Sequence, residues 1–106
     1  MNLLADPFAA IADDTRRLML RELADGERSV GDLVERFALP QPAVSKHLKV
    51  LRDAGLVRVR VEHRHRYYAL EAAPLAPVLD WVRYFERFWT ARLDALGDHL
   101  RKKRRS

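Results

Sequence analysis

Seven lysines and arginines but only two carboxylates lie between Gln41 and Arg66. The flanking regions run the other way: residues 1–40 hold five basic and eight acidic side chains, and residues 67–100 hold three and five. A short basic block on a mildly acidic body is the distribution expected of a surface that meets phosphates. Five more basic residues, Arg101 to Arg105, close the chain, either adding unspecific phosphate attraction or serving as a solubilising end.

Within the block, position separates the roles. Val44, Leu48 and Leu51 recur at i, i+4 and i+7, so a helix over this stretch turns Gln41, Ser45, Lys46, Lys49 and Arg52 away from its apolar stripe. Gln41, Pro42 and Ser45 occupy the leading end, where the Gln and Ser side chains suit base edges or phosphates. Lys46 and Lys49 are expected to be phosphate ligands, and Lys49 also has the reach for a guanine. His47 falls on the flank of the stripe, which favours a structural or phosphate hydrogen bond over base reading. Further on, His63, Arg64, His65 and Arg66 form a basic bend that adds to this phosphate-facing charge.

Other chemistries find little support. The chain has no cysteine, hence no disulfide, thiolate metal site or thiol redox switch. Glu62, His63 and His65, or Asp98 with His99, are conceivable but poor metal sets. There is no Gly-rich phosphate loop and no HExxH, and Ser45 has only His47 nearby in sequence, without an orienting acid, so an enzyme is not expected and no cofactor is called for. No apolar run approaches the roughly 18 residues of a membrane span and no signal layout opens the chain, so the expectation is a cytoplasmic protein with no membrane partner.

The elements that must position these residues are legible in outline. With 106 residues, 48% of them hydrophobic and 33% charged, the expectation is a single soluble domain over residues 1–106. Asp6 and Pro7 open a short helix to about Ile11. Asp13 caps a second, which Leu18, Leu20 and Leu23, with Met19, carry to about Ala24, with Gly26 as its stop. Arg16 and Arg17 either touch DNA or, as such arginines more often do, pair with Asp13, Asp14 or Glu22. Ser29 and Asp32 form a capping box for a helix from Val30 to about Phe37, and Ala38 to Pro40 turn into the helix that Gly55 ends. Val57, Val59 and Val61 alternate with Arg58 and Arg60 as in a half-buried strand, and after a bend from Glu62 to His65 the partner strand runs from Arg66 to Leu70. From about Leu75 to Lys103 one long helix is expected, roughly 40 Å at about 1.5 Å per residue, too long for so small a body to cover alone. Its stripe of Val78, Val82, Phe85, Trp89, Leu93, Leu96 and Leu100, widened by Trp81, Tyr84 and Phe88, calls for a partner surface.

The stretch QPAVSKHLKVLRDAGLV resembles the recognition helix of winged helix-turn-helix repressors of the ArsR/SmtB type, and the similarity extends over about residues 6 to 100. The resemblance implies a mainly α fold with a small β-hairpin, the wing, and a long terminal helix for dimerisation. It also implies a homodimeric repressor on double-stranded DNA. Pairing of the first and last helices across a twofold axis would put Phe8, Val82, Phe85, Phe88, Trp89, Leu93 and Leu96 in the dimer interface. Three departures matter. Pro40 stands where relatives have a capping Ser or Thr; Ser29, Val30 and Gly31 stand where metal sensors have Cys-Val-Cys; and Asp80 is followed by Trp81 and Val82, which misses the Asp-x-His metal spacing. His63, where related wings carry glycine, predicts a looser wing tip. Two alternatives stay open: a sensor of the same fold responding to a metal or small molecule, and a winged-helix protein-interaction module.

Overall fold

In a computed structural model, which describes residues 6–90, 92 and 97, the order of elements is α1 (Pro7–Ala10), α2 (Asp14–Ala24), β1 (Arg28–Ser29), α3 (Val30–Phe37), α4 (Gln41–Asp53), β2 (Val57–Glu62), β3 (His65–Leu70), a 3-10 turn (Ala73–Leu75) and α5 (Ala76–Tyr84). The architecture is mainly helical with a small antiparallel sheet, in winged helix-turn-helix order. The chain divides into two compact units, residues 1–76 and 77–106.

In the first unit, each helix begins where a polar residue satisfies its orphan amides. Asp6 accepts from the Phe8 N–H and Asp13 from the Arg16 N–H, at 2.9 and 3.0 Å. Ser29 and Asp32 make both halves of the capping box, at 3.0 and 3.1 Å. Hydrogen bonds from backbone amides hold the Asp13 and Asp32 carboxyls below the ordinary carboxylate range; the amides are those of Arg16 and Ser29 respectively. The core joins Met19 and Leu23 of α2, Leu33 of α3, Val44, Leu48 and Leu51 of α4, and Leu56, Val57 and Tyr68 at the sheet. Leu18 is half exposed, because the buried residues 19, 20 and 23 define a stripe that leaves position 18 outside.

The sheet has the order β1-β3-β2. β1 was not expected; two residues carry no alternation to read, yet Arg28 and Ser29 pair with Tyr68 and Tyr67 and give β3 a neighbour on each side. Burial along β2 fades outward, from Val57 (3% exposed) to Val61 (63%), so the half-buried reading holds only near the body.

In the second unit, α5 runs to Tyr84 and residues 86–90 are again helical. The expected helix is interrupted at Phe85, where the Phe85 N–H donates to the Val82 carbonyl and the Phe88 N–H to the Phe85 carbonyl, both at 3.0 Å. These i to i+3 bonds tighten one turn without ending the run. Among the described residues, no helix is long and apolar enough to cross a membrane.

Candidate nucleic-acid interface

The helix α4 is built to be anchored on one side and open on the other. Val44, Leu48 and Leu51 are fully buried, while Gln41, Pro42, Ser45, Lys46, Lys49 and Arg52 are exposed. Its start has no side-chain cap, as Pro40 dictates, and the amides are satisfied differently: the Ala43 and Val44 N–H groups both donate to the Pro40 carbonyl, at 3.0 and 3.2 Å, and Pro42 has no N–H to satisfy. Its end is a Schellman motif. Gly55, at φ +76°, donates to the Arg52 carbonyl and Leu56 to the Leu51 carbonyl, each at 2.9 Å, with the Leu51 and Leu56 side chains both buried. That closure feeds the chain directly into β2, so the helix and the wing share one fixed corner.

β2 and β3 pair in register from Val57 opposite Leu70 to Glu62 opposite His65, leaving only His63 and Arg64 in the turn, at φ +48° and +71°. The tip is therefore a tight two-residue turn of the kind that needs left-handed residues at both central positions, and β3 begins at His65. This corrects the expected looser tip. Six paired positions fix the hairpin, and the turn adopts the conformation they demand although neither residue is glycine.

Two surface grooves connect wing and helix. In one, Arg66 of β3 faces Gln41, Ser45, Lys49 and Arg52; in the other, Arg64, His65 and Arg66 face Gln41 and the start of α3 at Ser29, Val30 and Gly31. The structure thus brings together most of the expected contact set. Lys46 and Pro42 project from the exposed face of α4, and His63 lies at the wing tip, 4.0 Å from the Glu62 carboxylate.

Not every cation of the basic block is available. Arg58 pairs with Glu71, and Arg60 pairs with Glu62 and, at 2.6 Å, with Glu27, while its guanidinium lies 4.8 Å from the centre of the Tyr67 ring. Hydrogen bonding to Arg60 holds the Glu27 carboxyl below its ordinary range. The side chains of Lys46, Lys49, Arg52, Arg64 and Arg66 have no ion-pair or hydrogen-bond partner among the described residues.

The other expectations resolve as follows. Arg17 pairs with Asp14, but Arg16 is a correction: its side chain donates to the Ala10 and Ala9 carbonyls, at 2.7 and 3.3 Å, and reaches His47 Nδ1 at 3.4 Å. His47 is partly buried and lies between Arg16 and Asp13, a link to α2 that the pattern of α4 alone could not reveal. No group of three or more His, Cys, Asp or Glu able to hold a metal ion occurs among the described residues, so Glu62, His63 and His65 form no such set; Asp98 and His99 lie outside those residues.

On the last helix Val82 and Phe85 are half-buried, while Leu79, Trp81, Tyr84, Phe88 and Trp89 are exposed. Phe85 is the hub of the rings, with Trp81 and Tyr84 each edge-on at 5.1 Å, and Arg87 lies over Tyr84 and Phe88. Phe8, on α1, is 39% exposed. Leu93, Leu96 and Leu100 lie outside the described residues.

Comparison with known proteins agrees with this geometry. The family model for bacterial regulatory proteins of the arsR family matches residues 13–59, from the cap of α2 to the middle of β2. The HTH-type transcriptional regulator Rv2034 of Mycobacterium tuberculosis is 42% identical over 81% of this chain and 78% of its own length. The transcriptional repressor SdpR of Bacillus subtilis is 33% identical over 74% of this chain and 87% of its own. Among solved structures, an ArsR-like transcriptional regulator from Rhodococcus sp. RHA1 superposes with a TM-score of 0.66 at 31% identity, covering 91% of each chain. With its capped α2, its buried α4 stripe and its paired wing, the chain belongs to the ArsR/SmtB family of DNA-binding winged helix-turn-helix transcriptional regulators, in a form that lacks the cysteine metal-binding motif.

Proposed function

We propose that the protein is a homodimeric repressor that binds an inverted-repeat operator in double-stranded DNA and blocks transcription by occupying the promoter. The observation that carries this reading is the unequal use of charge. Arg58 and Arg60 are spent on carboxylates, whereas Lys46, Lys49, Arg52, Arg64 and Arg66 are unpaired among the described residues and stand on α4 and the wing. Lys46, Lys49, Arg64 and Arg66 neutralise phosphates, with His63 and His65 beside them, and Gln41 and Ser45, next to Pro42, read base edges. Paired copies place two α4 helices in successive major grooves about 34 Å apart, which requires an imperfect inverted repeat.

Dimerisation is assigned to Phe8, Val82, Phe85, Phe88 and Trp89, continued by Leu93 and Leu96. Support comes from the exposed aromatic run of the last helix, since contiguous apolar surface of this kind marks an interaction site. Repression by occupancy needs no cofactor, and the name of the Bacillus subtilis relative favours it.

The test is fluorescence anisotropy with the protein's own upstream promoter fragment and a scrambled duplex, at two salt concentrations, with EDTA or added Zn²⁺. Promoter-selective, salt-sensitive binding that ignores the metal is expected. Release on adding metal would make the protein a sensor of the same fold, and equal binding to both duplexes would reject an operator-specific repressor.

A further inference from the structure

His47 leaves α4 on the flank away from the wing. At about 100° per residue it stands roughly 200° round the helix from Ser45, which lines the groove under Arg66. There its Nδ1 meets two groups of the α2 start, the Arg16 Nη1 at 3.4 Å and an Asp13 carboxylate oxygen at 3.9 Å. These two ask for opposite tautomers. A guanidinium has no acceptor atom, so a bond from Arg16 needs a bare Nδ1 and leaves the ring proton on Nε2, whereas a bond to Asp13 needs the proton on Nδ1. Distance decides for Arg16, because 3.9 Å is beyond hydrogen-bonding reach and the same Asp13 oxygen already accepts the Arg16 backbone N–H at 3.0 Å. Nor is the guanidinium free to swing away, since its other two nitrogens donate to the Ala10 and Ala9 carbonyls.

The other ring nitrogen is not engaged by the protein: His47 Nε2 has no protein partner among the described residues. In those same residues no fully buried side-chain nitrogen or oxygen lacks a partner, so Nε2 is not sealed off from solvent, in a side chain that is 22% exposed.

We propose that Arg16 fixes His47 as the Nε2–H tautomer and that this N–H is a neutral, directional donor to a DNA phosphate oxygen on the side of α4 away from the wing. This rests on the DNA-binding reading above. Arg16 is then a positioning residue that acts on DNA only through His47. The contact differs in kind from those of Lys46 and Lys49, because a neutral donor adds affinity without releasing a counterion.

The experiment has two arms on the full-length protein. In ¹⁵N-labelled wild type at mildly alkaline pH, where an ordinary imidazole is neutral, long-range ¹H–¹⁵N correlations report which ring nitrogen of His47 carries the proton. The expected pattern is Nε2–H; an Nδ1–H pattern would make Asp13 the partner and overturn the proposal. In the second arm, His47→Gln, whose amide nitrogen reaches the Nε2 position, keeps most of the promoter affinity. His47→Asn, whose amide reaches only the Nδ1 position, loses about tenfold at every salt concentration, with the slope of log K against log salt unchanged. Equal affinities for the two variants, or a slope reduced as though a cation had been lost, would refute the neutral donor. Should wild type bind promoter and scrambled DNA alike, the operator reading fails, and the tautomer pattern still decides the Arg16 assignment by itself.

Discussion

Arg64 offers a single substitution that should move stability and DNA affinity in opposite directions. It sits at φ +71° beside His63 at +48°, in a two-residue turn that glycine would enter without steric cost. A left-handed residue bearing a Cβ is strained by roughly 1–2 kcal/mol. Arg64→Gly removes that strain but gives back about 0.5–1 kcal/mol through the extra freedom of glycine in the unfolded chain. The net gain is about 0.5–1 kcal/mol, which for a domain of this size raises the melting temperature by about 2–8 °C. The same change deletes one unpaired cation of the wing, so the slope of log K against log salt should become shallower by about 0.9 and the low-salt affinity should fall. Thermal melts followed by circular dichroism, together with anisotropy across a salt series, measure both quantities on one preparation. A lower melting temperature would show that the turn is not strained, and an unchanged salt slope would remove Arg64 from the phosphate contacts.

Further outcomes follow from other parts of the chain. Trp89→Asp should yield monomers in light scattering; an intact dimer would place Trp89 off the interface. Lys49→Ala should weaken binding to all duplexes and lower the salt slope by about 0.9, whereas Gln41→Ala should re-rank operator variants at one base position by about 1–3 kcal/mol; a slope change for Gln41→Ala, or its absence for Lys49→Ala, would contradict these roles. Asp13, Glu27 and Asp32 all have depressed folded pKa values, the first and last through backbone amides and Glu27 through Arg60. Each therefore contributes stability above its unfolded pKa, near 4, and loses it as pH falls through the lower folded value, so acid unfolding should begin below about pH 4. Asp32→Asn should flatten the melting temperature against pH in that window, and an unaltered profile would deny Asp32 a share. Ser29→Ala should cost about 1 kcal/mol by uncapping α3, checked by urea denaturation.

How far the sequence discloses the structure depends on whether the cause is local. α4 could be read because Val44, Leu48 and Leu51 repeat at the helical period and Gly55 supplies the left-handed stop; the capping box of Ser29 and Asp32 is likewise contained in four residues. β1 could not be read, since its two residues are ordered by Tyr67 and Tyr68 about forty positions away. The wing tip misled for a related reason: the residue types argue against a tight turn, but the register of the paired strands overrides them. Charge was the hardest quantity to read. A count of basic residues treats Arg58 and Arg60 like Arg64 and Arg66, yet the first two meet carboxylates 13 and 33 positions distant. His47 shows the same limit, because its flank position was legible while its partners on α2 were not.

The internal pairing of Arg58 and Arg60 also bears on how such a regulator finds its target. A genome offers roughly a million or more unspecific sites for each operator, and occupancy is decided by the ratio of the two affinities. Unspecific affinity is almost entirely counterion release, rising with every cation that can settle on a phosphate regardless of sequence. With Glu27 and Glu71 beside them, the two strand arginines add less to that unspecific term than unpaired cations would. On the operator reading proposed above, contacts from the leading end of α4 would keep their value, so a smaller fraction of the protein would be titrated away by the chromosome.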